Sequence, residues 1–400
     1  MNLKISLIAS FLFLNNNVKG QWAQQNSGTA ETLLGISFSS KYNGFVSGTN
    51  GTIKHTINGG LNWTNQASGT IQFLRDIYFS DSLNGTVVGE SGLILRTVNS
   101  GVSWTNQLSN TSEHLLHVHF ADSLYGMACG QNGVIITTID GGSNWTLKNS
   151  GVTEELTCIQ IVNSSVSFAV GFHGKILKST DSGNSWVVQT NAVGNNLRSV
   201  SFLNADTGYA VGYGGAILKT IDGTNWIQQS SGTINDLFAV DFINEKIGTA
   251  VGTAKILTTI DGGVNWINQS IPFSGDLYDV DFNDDANGWA TGQMGKIFNT
   301  DNNGGLTVAE EIEEHINNVK IYPNPANTII RIDFVLTKSE NLLIKITDLS
   351  GKIVESVLHE NFSAGIKQIT YKTDHLKKGT YLIDINNLNK HFSTQLFIKE

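Results

Sequence analysis

The sequence predicts an all-β chain: a seven-bladed β-propeller closed by an N-terminal strand, followed by a small β-sandwich. Three observations carry this. Tryptophans recur at 22, 63, 104, 145, 186, 226 and 266, spaced by 41, 41, 41, 41, 40 and 40 residues, and such a fixed period marks an array of equal supersecondary units. Each period holds four short β-rich stretches punctuated by Gly, Asn, Asp and Ser, with no helical periodicity. After Gly305 the period stops and a different alternating pattern takes over.

Residues 1–20 come first and are of another kind. Lys4 precedes the apolar run "ISLIASFLFL", and a polar stretch ends at Gly20. That is the layout of a cleavable secretory signal, with an apolar core too short to span a bilayer. A buried N-terminal helix is the alternative. No other long apolar run follows, so no transmembrane segment is expected in the mature chain.

The propeller is expected over residues 21–305. Its first strand in each unit reads "LLGISF", "LRDIYF", "LLHVHF", "LTCIQI", "LRSVSF", "LFAVDF" or "LYDVDF". A run of small residues then leads to a Gly-x-x-Gly turn, as in "GTNG", "GQNG" and "GFHG", with "GTAK" the one departure. The third strand is Lys-rich ("TIKHT", "KILKS", "AILKT"), and the fourth starts at the tryptophan. Trp22 has no first three strands ahead of it, and the last unit lacks a tryptophan near residue 307. "QWAQQ" is therefore expected to supply the outer strand of the seventh blade, which removes the open edges.

Third and fourth strands are joined by Thr-x-Asp-Gly-Gly-x-x-Trp, as in "TIDGGSNW" from Thr138 to Trp145. The carboxylates of Asp140, Asp181, Asp222 and Asp261 are expected to accept turn amides, with Gly at the φ > 0 positions. Asn58 and Asn99 stand in for Asp in two units, which suits a turn cap better than a charged catalyst. The rings of Trp22, Trp63, Trp104, Trp145, Trp186, Trp226 and Trp266 are expected to pack between blades, with an N–H that can still find a partner. The motif resembles the Asp box, or bacterial neuraminidase repeat. The whole unit is similar to single-chain seven-bladed propellers of the photosystem II assembly factor family, which implies a binding scaffold more than a reaction.

Residues 306–318, "LTVAEEIEEHINN", read as an acidic linker or short helix, and 319–400 as an Ig-like β-sandwich. Its opening "YPNPA" (Tyr322, Pro323, Asn324, Pro325) sets a kinked turn, "DLSGKIV" a hairpin, and "KGTYLIDI" a strand. These motifs resemble the C-terminal sorting domain of the type IX secretion system of Bacteroidetes. The resemblance implies that residues 319–400 engage that secretion machinery. The protein would then be secreted or held at the outer-membrane surface, after signal cleavage and usually after loss of the sorting domain. An ordinary adhesive module is the alternative reading.

Charged residues are only 15% of the 400, and the net charge of −9 argues against a nucleic-acid partner. Two cysteines, Cys129 and Cys158, are too few for a disulfide framework. They read as one bridge between neighbouring strands or, preferably, as two small buried residues. The Gly-x-x-Gly turns lack the lysine and helix of a phosphate loop, and no cofactor is expected. "EHLLHVHF" puts His117 and His119 on one strand face with His114 nearby. A metal there would need another ligand from a different blade, so polar packing is the preferred reading and no metal is expected.

Two function classes remain open beside a third. A sialidase-like hydrolase needs three converging arginines, but the propeller has Arg75 and Arg198 in one register and Arg96 further from the axis. A xyloglucanase-like hydrolase needs a second propeller, although Asp279 and Asp281 offer paired carboxylates. The favoured reading is non-catalytic binding of a protein or glycan. Its ligand would meet Arg75, Phe172, His173, Arg198, Tyr213, Phe238 and Tyr278, which gather at one mouth of the channel. A surface building block without a small ligand is the third.

Overall fold

The protein is described by a computed structural model over residues 22–190, 193–283, 286–302, 316–336, 339–348, 352–386 and 391–400. The expected signal at 1–20 lies outside the described residues, as does most of the expected linker. The chain divides into two compact units, Met1–Thr307 and Val308–Glu400.

Among the described residues the first unit holds seven four-stranded antiparallel sheets. Blade 1 runs Leu33–Phe38, Gly44–Gly48, Ile53–Thr56 and Thr64–Gln66, in that spatial order. Blades 2 to 6 repeat it from Leu74–Phe79, Leu115–Phe120, Leu156–Ile161, Leu197–Phe202 and Leu237–Phe242. Blade 7 is Leu277–Phe282, Gly288–Gly292 and Lys296–Thr300, and Ala23–Asn26 is its outer strand, antiparallel to Lys296–Thr300. Consecutive first strands pack on one another around the ring, blade 7 against blade 1 included, so they line the axis.

The repeat residues explain this packing. In six blades a phenylalanine ends the first strand and a glycine opens the second, as with Phe38 and Gly44. The phenyl ring lies so close that a Cβ on Gly44 would come within 2.4 Å of it. The blade's tryptophan meets the same ring edge-on, Phe38 with Trp63 at 6.0 Å and Phe242 with Trp266 at 5.8 Å. Two of the repeat indoles donate within their own neighbourhood, Trp145 to Gly142 O and Trp226 to Gln189 Oε1. The buried indole N–H groups of Trp63, Trp104, Trp186 and Trp266 have no protein acceptor.

The Lys-rich third strands have a use that periodicity did not disclose. Lys178 Nζ donates to Gly223 O and Lys219 Nζ to Gly262 O, and Arg96 Nε reaches Gly141 O. Each cation thus staples its blade to the Asp-Gly turn of the next. At the seam, Trp289 Nε1 plays that part toward Gly59 O at 3.1 Å.

In each Asp turn the carboxylate accepts bonds from the turn that follows it. Asp140 Oδ1 accepts Thr138 Oγ1 and the Asn144 amide, at 2.9 Å each. Asp181 and Asp261 do the same for Ser185 and Asn265. Asp222 caps a turn one residue shorter, accepting Thr224 and Asn225 amides. Asn58 and Asn99 make equivalent bonds through their amide oxygens. Cys129 and Cys158 are both buried and free.

The second unit has a three-stranded sheet (Ile316–Tyr322, Ile329–Leu336, Gly365–Lys372) and a four-stranded sheet. The latter orders Ile353–Phe362, Glu340–Asp348, Gly379–Asn386 and His391–Lys399. Its first strand starts at Ile316, inside the segment assigned to the linker. Ile330, Ile332, Phe334, Ile344, Ile346 and Phe397 belong to its core. The "YPNPA" turn is tied to the last strand: Asn324 Oδ1 accepts the Ile398 amide, and Ala326 N donates to Ile398 O.

Candidate ligand site at the propeller axis

Each first strand carries a register shift between its first and third residues, as between Leu74 and Asp76 or Leu197 and Ser199. Such a bulge leaves the second residue unpaired and re-aims its side chain. The seven bulge residues are Leu34, Arg75, Leu116, Thr157, Arg198, Phe238 and Tyr278, and all of them line one cavity of about 230 Å³ at the axis. Four of the residues singled out in the sequence are therefore bulge residues brought together by one device.

Phe172, His173 and Tyr213 are not among the residues lining that cavity, but Phe172 and Tyr213 join Phe238 and Tyr278 in an arc of rings. Phe172 lies 6.3 Å from Tyr213, Tyr213 meets Phe238 edge-on at 6.2 Å, and Phe238 tilts against Tyr278 at 5.4 Å. These rings come from blades 4, 5, 6 and 7 in turn. The Arg198 guanidinium stands 5.9 Å from the Phe238 ring, and its Nε has no protein acceptor. Tyr278 Oη bonds Asp276 and Gln293, which fixes the ring, and burial raises its phenol pKa. Arg75 lies apart from this arc, held by Glu90 at 3.0 Å and over Phe73. His173 is exposed at the left-handed position of its turn (φ 55°), and its backbone N–H bonds Asn196.

Sequence reasoning missed Gln131 and Glu155, which also line the cavity. Gln131 occupies the turn register of Phe172 and Tyr213, and that register was the available signal.

Deeper in the channel, polar third or fifth residues of several first strands clamp the next blade. Asp279 and Asp281 accept the Ile36 and Phe38 amides across the seam, at 2.8 and 2.7 Å. Asp76 accepts Val118, Asp241 accepts Phe282, and Gln160 accepts Phe202. Burial raises the pKa of Asp241 to about 6 and of Asp281 to about 8. It also raises Asp76 and Asp279, the latter further through Asp76.

The histidines divide. His114 Nδ1 accepts the Ser91 amide, whereas His117 and His119 face the blade 4 amides of Ile159 and Ile161 at 3.5 and 3.4 Å. Burial pulls the His117 pKa down, but Cys158 and Asp76 outweigh it and hold it at about 10. Burial, and then His117, takes His119 to about 3. Among the described residues no group of three or more His, Cys, Asp or Glu side chains is placed to hold a metal ion. No helix among them is long and apolar enough to cross a membrane.

Comparison with known proteins follows the two units. The family described as "Photosynthesis system II assembly factor YCF48" matches residues 14–111 and again 63–149. The family "Secretion system C-terminal sorting domain" matches residues 320–399. Among solved structures, YCF48 bound to D1 peptide is 19% identical with a TM-score of 0.61, covering 70% of this chain and 94% of that one. YCF48 from Cyanidioschyzon merolae is 19% identical at 0.59, over 70% and 98%. The WD40 propeller domain of Doa1 is 10% identical at 0.58, over 69% and 94%. No curated protein matches the chain.

Proposed function

From a propeller of the photosystem II assembly factor type, on a chain whose C-terminal sorting domain marks it for export to the cell surface or beyond, we propose a non-catalytic binder of an extended polypeptide segment. The observation that carries this is the arc of Phe172, Tyr213, Phe238 and Tyr278 with Arg198 over its third ring. Pre-fixed aromatic faces beside one cation give contact area at little entropic cost, as binding hot spots do. The D1 peptide held by a propeller of this type supports a polypeptide as the ligand class. The channel carboxylates that a hydrolase would need already accept backbone amides of neighbouring blades, which supports a structural use for them. The chain would leave by the type IX route, with residues 319–400 engaging the machinery.

The test presents an array of unstructured peptides to the full chain and to an Arg198→Ala/Tyr213→Ala variant. Retention by the native chain, about tenfold weaker in the variant at unchanged thermal stability, is the expected result. Retention of polysaccharide instead, or release of reducing ends from it, would overturn the reading in favour of a glycan binder or a hydrolase.

A further inference from the structure

We propose that the crevice between blades 3 and 4, on the propeller face away from the aromatic arc, is a second binding site that takes a small organic cation with an apolar body. The crevice has a volume of about 620 Å³, within the range of pockets that hold drug-sized ligands. Asp122 and Tyr125 bound it from the loop joining the first two strands of blade 3, and Ser164 bounds it from the same loop of blade 4. Ile139 and Ser182 come from the Asp turns of the two blades. In an antiparallel sheet these connections lie at the strand ends opposite the turns that carry Phe172 and Tyr213, so the two sites open in opposite directions.

The opening has a cause in the repeat. Six blades end the first strand on a phenylalanine, whereas blade 4 ends it on Ile161, which forms part of the crevice wall. Ring surface comes instead from Tyr125 and from Tyr78, which tilts against His119 at 4.8 Å and stacks on Phe120 at 6.1 Å. Burial takes His119 to about 3 and the Tyr78 and Tyr125 phenols to about 12, so all three rings are neutral near neutral pH. The faces of neutral aromatic rings attract a cation, more strongly where water is excluded.

The charges around the crevice favour the same sign of ligand. Among the described residues that line it there is no Lys or Arg, and Asp122 is the one carboxylate. The Tyr125 and Leu124 amides both bind its Oδ1, which holds its pKa below the usual carboxylate range and leaves Oδ2 open at the rim. Asp140 and Asp181 adjoin Ile139 and Ser182 and are likewise held low, chiefly by Asn144 and Ser185. Arg96 lines a separate crevice and is tied to Gly141 O. An anion would meet these carboxylates with no lining cation to offset them. A cation satisfies both the rings and the rim.

The probes are 3-hydroxyphenyltrimethylammonium and its uncharged carbon isostere 3-tert-butylphenol, each titrated into the native full chain by calorimetry. The cation is expected to bind at least about tenfold more tightly than the phenol. Ser164→Trp, which sets a bulky ring into the crevice from an exposed loop position, should abolish binding. Asp122→Asn, whose amide oxygen still accepts both capping amides, should weaken the cation about threefold and leave the phenol unchanged. Arg198→Ala/Tyr213→Ala, at the other face, should change neither affinity. Equal affinity for the two probes, no binding of the cation at millimolar concentration, or binding that survives in a folded Ser164→Trp chain overturns the inference, as does loss of binding in the Arg198→Ala/Tyr213→Ala chain. If Ser164→Trp does not fold, Asp122→Asn decides, and an unchanged cation affinity there overturns it.

Discussion

The Phe202 ring lies directly over Gly208, so close that a Cβ built on Gly208 would come within 2.5 Å of its Cδ1. The same pair recurs in six blades, and blade 4 departs at both positions at once, with Ile161 facing Ser167. A side chain at the start of the second strand is thus tolerated only where the ring is absent.

Gly208→Ala is therefore expected to destabilise the propeller by about 1–3 kcal/mol, the usual cost of overpacking. Phe202→Ile on its own also costs stability, because it loses the stack on Phe168 at 3.7 Å and the edge contact to Trp226. Combined, the two changes should cost less than the sum of the singles, since the pair then matches blade 4. Denaturant midpoints of the four chains complete the cycle, and strict additivity would sink the steric account.

Ring closure gives a second comparison. Trp22 is 2% exposed and meets Phe282 edge-on at 6.0 Å, in the strand that completes blade 7. Trp22→Ala is expected to cost about 3–5 kcal/mol. Trp186 is half-buried, its indole N–H has no protein acceptor, and Ile161 stands where its ring partner would be. Trp186→Ala should cost only roughly 1–3 kcal/mol. Equal losses in thermal or denaturant melts would mean that the phenylalanine partner contributes little.

What the sequence disclosed follows from what repeats. The Trp period, the Asp turns and the Leu-x-x-Ile-x-Phe runs are the residues that every blade needs, so they stand out against each other. The bulge residues Arg198, Phe238 and Tyr278 were legible too, because they vary at one fixed register. The clamp of Asp279 and Asp281 on Ile36 and Phe38 was not, since its partners lie 243 residues apart and meet only when the ring closes. Arg75 lines the cavity as its register implies, yet stands apart from the aromatic arc. Its charge is taken up by Glu90, a neighbour across the blade's own hairpin that the register alone did not flag.

The Asp turns allow a charge-free test. Asp261 accepts Thr259 Oγ1 at 2.8 Å and the Asn265 amide at 2.9 Å, bonds that an asparagine oxygen can also accept. Asn58 and Asn99 already do so in blades 1 and 2. Asp261→Asn keeps these two bonds but loses the one from Asn265 Nδ2 to Oδ2, so it should cost less than Asp261→Ala, which should cost about 1 kcal/mol. A large loss from the asparagine change would show that the charge itself is needed.

The channel sets the pH dependence of stability. A carboxyl whose folded pKa is raised binds its proton more tightly in the folded state, so its contribution is full below the unfolded value and is lost as pH rises through the folded one. Asp241, at about 6, and Asp281, at about 8, therefore make stability fall with rising pH from about 4 upward. His117, raised to about 10, adds the same sign above its ordinary value of about 6.5. His119, lowered to about 3, acts oppositely, but only between about 3 and 6.5. Between about pH 6.5 and 8 no rising term from His119 opposes Asp281 and His117, so stability should decline across that window. Urea titrations at half-unit steps would measure the slope. Asp281→Asn, which keeps an oxygen for the Phe38 amide, should flatten it toward what His117 and the raised carboxyls Asp76 and Asp279 leave. An unchanged slope would mean that Asp281 is already ionised in the folded channel.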